Sequence, residues 1–238
     1  MDLIVDIGNS QIKTTFFNNS VIFKKESFDS SDYKSIFNII NSHTFNKIFV
    51  SSLRIQSKFK DMYHNKKIFY FNNELDIPLK INYKNIYDLG KDRIAAMVGA
   101  NKLFPKKNLL VIDIGTCITL DVLSKDREFL GGRISPGLKM RYQSIASVES
   151  LPLLKYTYDK NIFGNDTKSS IHTGVQRSII SEINDFSNQL KKQFNNFVVI
   201  ITGGDMSLLL KEQKNTIFVF EENLVAIGLN EILSCNFK

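Results

Sequence analysis

Apolar residues recur along this chain with two distinct periods, and they divide it into strands and helices. Residues 2–6 read as a buried strand that ends at a glycine turn, and a second strand follows around Ile12–Phe17. Asn18-Asn19-Ser20 is a tight-turn signal, and a third strand begins at Val21–Phe23. Ser30–Ile40 changes period: Tyr33, Ile36, Phe37 and Ile40 fall on one side of a helix. Lys47–Val50 and Ile68–Phe71 read as further strands. Between Gly90 and Phe104, apolar residues cover most of a helical surface, from Ile94 through Val98 to Leu103, so this helix is expected to be buried on several sides.

The second half begins the pattern again. Leu109–Ile114 carries almost no polar residue, as a central strand would. Thr119–Leu123 and Phe129–Ile134 complete a second hairpin run. Gly174–Phe194 is an amphipathic helix, with Val175, Ile179, Ile183, Phe186, Leu190 and Phe194 three or four residues apart. Phe197–Ile201 is a buried strand running into Thr202-Gly-Gly-Asp205, then come a short strand at Ile217–Phe220 and a final helix at Asn223–Leu233. No Pro- or Ser-rich linker separates the halves, so two similar α/β lobes in close contact are expected, 1–104 and 105–238.

The repeat is sharpest where LIVDIGNS (3–10) returns as LVIDIGTC (110–117). A carboxylate at the end of a buried strand is costly without a partner, and a metal ion or a hydrogen-bonding turn can supply one. The glycine that follows lets backbone approach a bulky anion, and the next polar residue can offer hydrogens to phosphate oxygens. Two such turns, one per lobe, suit a nucleotide's phosphate tail and its Mg²⁺. The competing reading is two ordinary corners, each capped by its own Asp. Lys13, on the second strand of the first hairpin, could reach back to a phosphate. Gly203 and Gly204 leave room for a flat group such as adenine or ribose, and equally suit a strand-to-helix turn. Neither GxxxxGK[ST] nor GxGxxG occurs.

Composition narrows the class. The chain has 238 residues and is 43% apolar, enough for one large domain or two smaller ones with a proper core. No apolar run approaches the length of a membrane span, and the start lacks the basic segment of a secretory signal, so a soluble, cytoplasmic protein is expected. Cys117 and Cys235 are the only cysteines and form no CxxC, which argues against a disulfide framework and predicts two buried, inert thiols. The net charge of +7 comes from dispersed lysines in short pairs such as Lys24-Lys25 and Lys106-Lys107, with no basic stripe. It favours attraction of an anionic substrate over nucleic-acid binding.

Five segments together resemble one family: DIGNSQIK (6–13), LGKDRIAAMVGA (89–100), DIGTCITLD (113–121), GGRISPGL (131–138) and NDTKSSIHTGV (165–175). They look like type III pantothenate kinase, within the acetate and sugar kinase, Hsp70 and actin superfamily. The resemblance runs from Met1 to about Gly228. It implies two ribonuclease H-like (actin-like ATPase) lobes, mixed sheets flanked by helices, and ATP-dependent phosphorylation of pantothenate, the first step of coenzyme A synthesis. It implies that Asp6, Gly8, Asn9, Ser10 and Lys13 form a first phosphate site, with Asp6 orienting Mg²⁺–ATP. Gly115 and Thr116 would bind phosphate, Gly203 and Gly204 the rest of the nucleotide, and Asp113 a monovalent cation, K⁺ or NH₄⁺. Tyr83, Gly90, Lys91, Asp92, Arg93 and Thr167 would contact pantothenate. Asp92 would be the general base, Arg93 would bind the carboxylate or fix the base, and Thr167 would act across a homodimer interface. No membrane or nucleic-acid partner is implied.

Cys117 and Ile118 stand where the family usually has Ala-Thr, and Ser10 replaces the commoner Thr while keeping the hydroxyl. His172, inside the last segment, reads as a helix-surface residue rather than a catalyst. Two rivals remain at this level: a kinase of the same fold for another small alcohol such as a sugar, and a non-catalytic regulator or nucleic-acid binder. GKDR and NDTKSS argue against the first. A carboxylate within hydrogen-bond reach of the acceptor alcohol is what phosphoryl transfer needs from Asp92.

Overall fold

In the computed structural model of the protein, residues 1–52, 67–195, 197–211 and 218–237 are described. The chain forms two compact units. One comprises Met1–Pro105, Arg127–Phe129 and Asn223–Lys238, the other Lys106–Asp126 and Leu130–Glu222. This differs from the expected division into 1–104 and 105–238, because the last helix returns to the first unit and packs there.

The first unit is built on β1 (Asp2–Ile7), β2 (Gln11–Asn18), β3 (Val21–Asp29), β4 (Lys47–Ser52) and β5 (Ile68–Tyr70). The sheet order is β3-β2-β1-β4-β5, with β1, β2 and β3 antiparallel and β4 and β5 parallel to β1. β3 runs six residues beyond the expected Phe23 to Asp29. It is an edge strand with charged Lys24, Lys25 and Glu26, so its apolar alternation is weak. Helix α1 (Tyr33–Ser42) is capped by Asp32, whose side chain accepts the Ser35 amide at 3.1 Å. Ile36, Ile39 and Ile40 of α1 pack on Leu3, Val5, Ile7 and Val50, filling one face of the sheet.

The other face receives α2 (Lys91–Leu103) and α6 (Leu224–Asn236), which touch each other closely and approach β1 and β4. The all-round apolar surface read for 90–104 is explained here, since Arg93 through Ala100 are all buried. Two glycines permit the approach. A Cβ on Gly99 would come within 2.2 Å of the Leu224 carbonyl oxygen, and one on Gly228 within 1.8 Å of that of Ala95. A short strand, β6 (Lys80–Ile81), pairs with Glu128 and Phe129, and a 3₁₀ turn at Ile86–Asp88 leads into α2. Neither was visible in the apolar pattern.

The second unit repeats the topology. Its sheet is formed by β7 (Asn108–Ile114), β8 (Cys117–Leu123), β9 (Glu128–Pro136, whose first two residues belong to the first unit), β10 (Phe197–Thr202) and β11 (Phe218–Phe220), in the order β6-β9-β8-β7-β10-β11. β8 is antiparallel to β7, β10 is parallel to it, and β11 is parallel to β10. Ile217, expected to start β11, lies outside the described residues. Helix α3 (Leu138–Ala146) was not anticipated: it buries only Leu138 and Tyr142, too sparse a signal to read. Helix α4 (Thr167–Gln193) starts seven residues earlier than expected, because Asp166 caps it through the Ser169 amide at 2.8 Å. Its Val175, Ile179, Ile183, Phe186 and Leu190 cover Leu110, Ile112, Ile114 and Ile118. A single turn, α5 (Ser207–Leu210), follows β10.

Candidate functional site

Asp6 is the next-to-last residue of β1, where it pairs with Lys13 on β2 and stands beside Ser51 on β4. Alternate strand residues share a face, so Asp6, Lys13 and Ser51 lie on the side opposite α1. The Phe71 amide donates to the Val50 carbonyl at 2.9 Å, and the Phe71 ring stacks on Phe49 at 6.0 Å. Phe71 therefore continues the row that begins with Asp6. The Lys91 ammonium, at the first position of α2, stands 5.9 Å from the centre of that ring, and burial lowers its pKa. The N-terminus of α2 thus arrives at the end of the sheet that carries Asp6. The Gly8 amide donates to the Gln11 carbonyl at 3.0 Å, which closes the turn and leaves Asn9 and Ser10 exposed.

Asp92 follows Lys91. Its Oδ1 accepts the Arg93 amide at 2.9 Å. The carboxylate folds back over Gly90, where an added Cβ would lie 2.4 Å from Oδ1. A side chain at position 90 would require the Asp92 carboxylate to turn away from this orientation. The Arg93 guanidinium is 6% exposed as a residue and stands 5.9 Å from the centre of the Phe129 ring. The Tyr83 ring lies 5.8 Å from the same ring. Tyr83, Arg93 and Phe129 therefore form one cluster in the first unit. Phe129 was read only as a strand residue, and its place here depends on the β6–β9 pairing.

In the second unit, Asp113 occupies the same next-to-last position, on β7. It pairs with Thr119 and stands beside buried Thr202. The Gly115 amide donates to the Cys117 carbonyl at 3.0 Å. Gly8 to Gln11 lie between paired Ile7 and Ile12, whereas Gly115 to Cys117 lie between Ile114 and Ile118, so the first turn is one residue longer. Thr119 therefore holds the register position that Lys13 holds in the first unit. Gly203 has φ +97°, and a Cβ there would lie 2.4 Å from both the Asp113 carboxylate and the Ile114 carbonyl. The Asp205 amide donates to that carbonyl at 2.9 Å. The Thr-Gly-Gly-Asp turn is thus laid directly on the Asp-Ile-Gly turn. A Cβ on Gly204 would meet nothing within 4 Å, and burial raises the pKa of the Asp205 carboxyl.

A further contributor was not assigned a role from sequence. The Gly137 amide donates to the Thr116 carbonyl at 3.1 Å, and a Cβ on Gly137 would lie 2.2 Å from the Gly115 oxygen. Its signal was the Gly in GGRISPGL. Thr167 begins α4 and lines an open cavity of about 710 Å³ with Ile145, Leu151 and Gly164. His172 is half-buried on α4, and its Nδ1 lies 2.8 Å from the Tyr142 hydroxyl. The thiols also differ from expectation. Cys117 is half-buried in its turn and Cys235 is exposed on the last helix, so neither is sealed in a core. Among the described residues, no helix is long and apolar enough to cross a membrane.

The sequence profile of the type III pantothenate kinase family matches residues 2–189. The chain belongs to that family. A type III pantothenate kinase of Flavobacterium psychrophilum is 34% identical over 237 residues, covering 98% of each chain. The family's reaction is pantothenate phosphorylation in coenzyme A biosynthesis, and this chain is an enzyme of that kind. The fold has wider company. A Baf family protein from Campylobacter jejuni superposes with a TM-score of 0.64 at 21% identity, over 98% of this chain and 97% of that one. The activator of 2-hydroxyisocaproyl-CoA dehydratase from Clostridium difficile, solved with bound ADPNP, gives 0.53 at 13% identity, over 98% and 96%.

Proposed function

We propose that this chain transfers the γ-phosphoryl group of Mg²⁺–ATP to the primary alcohol of pantothenate, with Asp92 as the base and Asp6 and Asp113 as the anchoring carboxylates. The observation that carries this reading is the recurrence of one carboxylate-glycine corner at the same strand position in two sheets that share one five-strand order, the second extended by β6 at its edge. The two corners act on the phosphates. Gly8, Asn9, Ser10 and Lys13 serve from the first, and Gly115 and Thr116 from the second. Gly203 and Gly204 take the nucleoside part. The open space beside Gly204 accommodates a flat group.

The donors fit the ions the reaction needs. Asp6 and Asp113 are half-buried carboxylates flanked by hydroxyl-bearing Ser51 and by Thr119 and Thr202. Such oxygen donors suit Mg²⁺ delivered with ATP at Asp6, and K⁺ or NH₄⁺ at Asp113. These cations, when bound, offset phosphate charge. Asp92 accepts the proton of the alcohol, and its fold-back over Gly90 holds the carboxylate at the helix start. Arg93 presents a planar fork suited to the pantothenate carboxylate, with Tyr83 beside it and Lys91 and Gly90 completing the contacts. Thr167 contributes from α4 of a second copy. The segment just before it displays Ile162 and Phe163, each about three-quarters exposed at 76% and 75%, which favours a homodimer. The working compartment is the cytoplasm.

A coupled assay with pantothenate, Mg²⁺–ATP and K⁺, repeated with Na⁺ in place of K⁺, tests the reading. Phosphorylation of pantothenate that falls with Na⁺ is expected. Phosphorylation of sugars with no turnover of pantothenate would overturn it.

A further inference from the structure

Arg141 lies on α3, one turn past Gly137, and no role in the reaction has been given to it above. Among the described residues, its side chain donates four hydrogen bonds, and its backbone amide donates to the Gly137 carbonyl at 3.0 Å. Nε donates to the Pro136 carbonyl at 2.8 Å, and one terminal nitrogen donates to the Ser178 hydroxyl at 3.0 Å. The other donates to the Ser135 hydroxyl at 3.2 Å and to the Glu182 carboxylate at 2.6 Å. Both charged side chains are mostly withdrawn from solvent, at 18% and 24% exposure. A guanidinium can hold several acceptors in one rigid plane, which an ammonium cannot do.

The two sets of acceptors belong to different parts of the unit. Ser178 and Glu182 sit on α4, a helix of 27 residues packed along the sheet. Ser135 and Pro136 form the corner between β9 and α3. The next residue is Gly137, whose amide holds the Thr116 carbonyl and whose backbone presses on Gly115 and Thr116. A continuous path therefore runs from α4 through Arg141 to the corner and on to the turn. The turn is also closed by the Gly115 amide on the Cys117 carbonyl and flanked by the Thr-Gly-Gly-Asp turn, but the Gly137 contact is the one that ties it to α3, and binding groups must be held to a fraction of an ångström to be effective.

We infer that Arg141, anchored by Glu182 and Ser178, is a positioning residue that sets the Gly115–Thr116 turn for the phosphates of ATP. It touches no substrate and acts through the backbone of Ser135–Gly137. The inference rests on the assignment of that turn to ATP made above. Two variants separate its parts. Arg141→Lys keeps a cation beside Glu182 but cannot also hold Pro136 and Ser178. The pair Arg141→Met with Glu182→Gln removes the ion pair without leaving a buried charge.

The experiment measures KM for each substrate, kcat, melting temperature, and calorimetric binding of Mg²⁺–ATP without pantothenate. Both variants are expected to lose roughly 10–100-fold in kcat/KM for ATP, on the scale set by small misplacements of a binding group. KM for pantothenate should stay within about twofold, and Arg141→Lys should melt close to the parent. Equal ATP parameters in parent and variants, or losses shared evenly by both substrates in step with melting temperature, would refute the role of Arg141. If the parent phosphorylates no pantothenate, the proposed reaction fails separately. Calorimetry then still decides on Arg141, since weakened Mg²⁺–ATP binding in the variants supports it and unchanged binding refutes it.

Discussion

At the scale of the residue, Asp92 shows how much local geometry one glycine can control. Its carboxylate bends back toward the helix N-cap and takes the Arg93 amide, using space that any Cβ at position 90 would fill. This places the acid at the start of a buried helix, the position proposed above for the general base. Asp92→Asn keeps the shape and the hydrogen bond but cannot take a proton. It is expected to fold, to bind pantothenate, and to lose about 10²–10⁴-fold in kcat. Steady-state kinetics beside calorimetric binding of pantothenate check this, and a variant with parental kcat would remove Asp92 from its role.

At the scale of the element, α2 and α4 are each fixed by a feature at one end or one face. Gly228 of α6 rests on the Ala95 carbonyl of α2, with no room for a methyl group. Gly228→Ala must push the two helices apart and should destabilise the protein by about 1–3 kcal/mol, the usual effect of overpacking. Chemical denaturation reads that loss directly. At α4, Asp166 caps the helix, and hydrogen bonds from the Ser169 amide and side chain hold its carboxyl below the ordinary carboxylate pKa. A lowered folded-state pKa means that the stabilising effect is present above the unfolded-state value and is lost as pH falls through the folded one. Asp166→Ala should therefore melt lower than the parent at neutral pH. The two melting curves should converge in acid, whereas Asp166→Asn, a cap that does not titrate, should behave alike across the range.

At the scale of the whole molecule, the surface beside Thr167 decides whether one copy suffices. Ile162 and Phe163 are large apolar side chains on an irregular segment, and they stand among the most exposed of their kind. Leaving them in water is unfavourable, and covering them with a second copy removes that penalty. Light scattering should report a dimer for the parent. Phe163→Asp should shift it toward monomer and lower activity with it. A monomeric parent with full activity would exclude a contribution of Thr167 from a partner.

The paired Asp-Ile-Gly corners, the buried strands before them and the amphipathic run of α4 were legible in the sequence because each writes its reason into adjacent residues: an apolar strand, an acid, a glycine, a period of 3.6. β6, α3 and the extension of β3 were not, since they bury few side chains and owe their form to neighbours distant in the chain. The same division holds in the candidate site. Local chemistry singled out Asp6 and Asp113 as candidates, whereas Asp92 and Arg93 came from the family resemblance and not from their own surroundings in the sequence. Phe129 beside Arg93, Gly137 on Thr116 and the Arg141 clamp are pairings of residues far apart in sequence or fixed by backbone contact. Strand register and close packing select such pairings, and no run of adjacent residues encodes them.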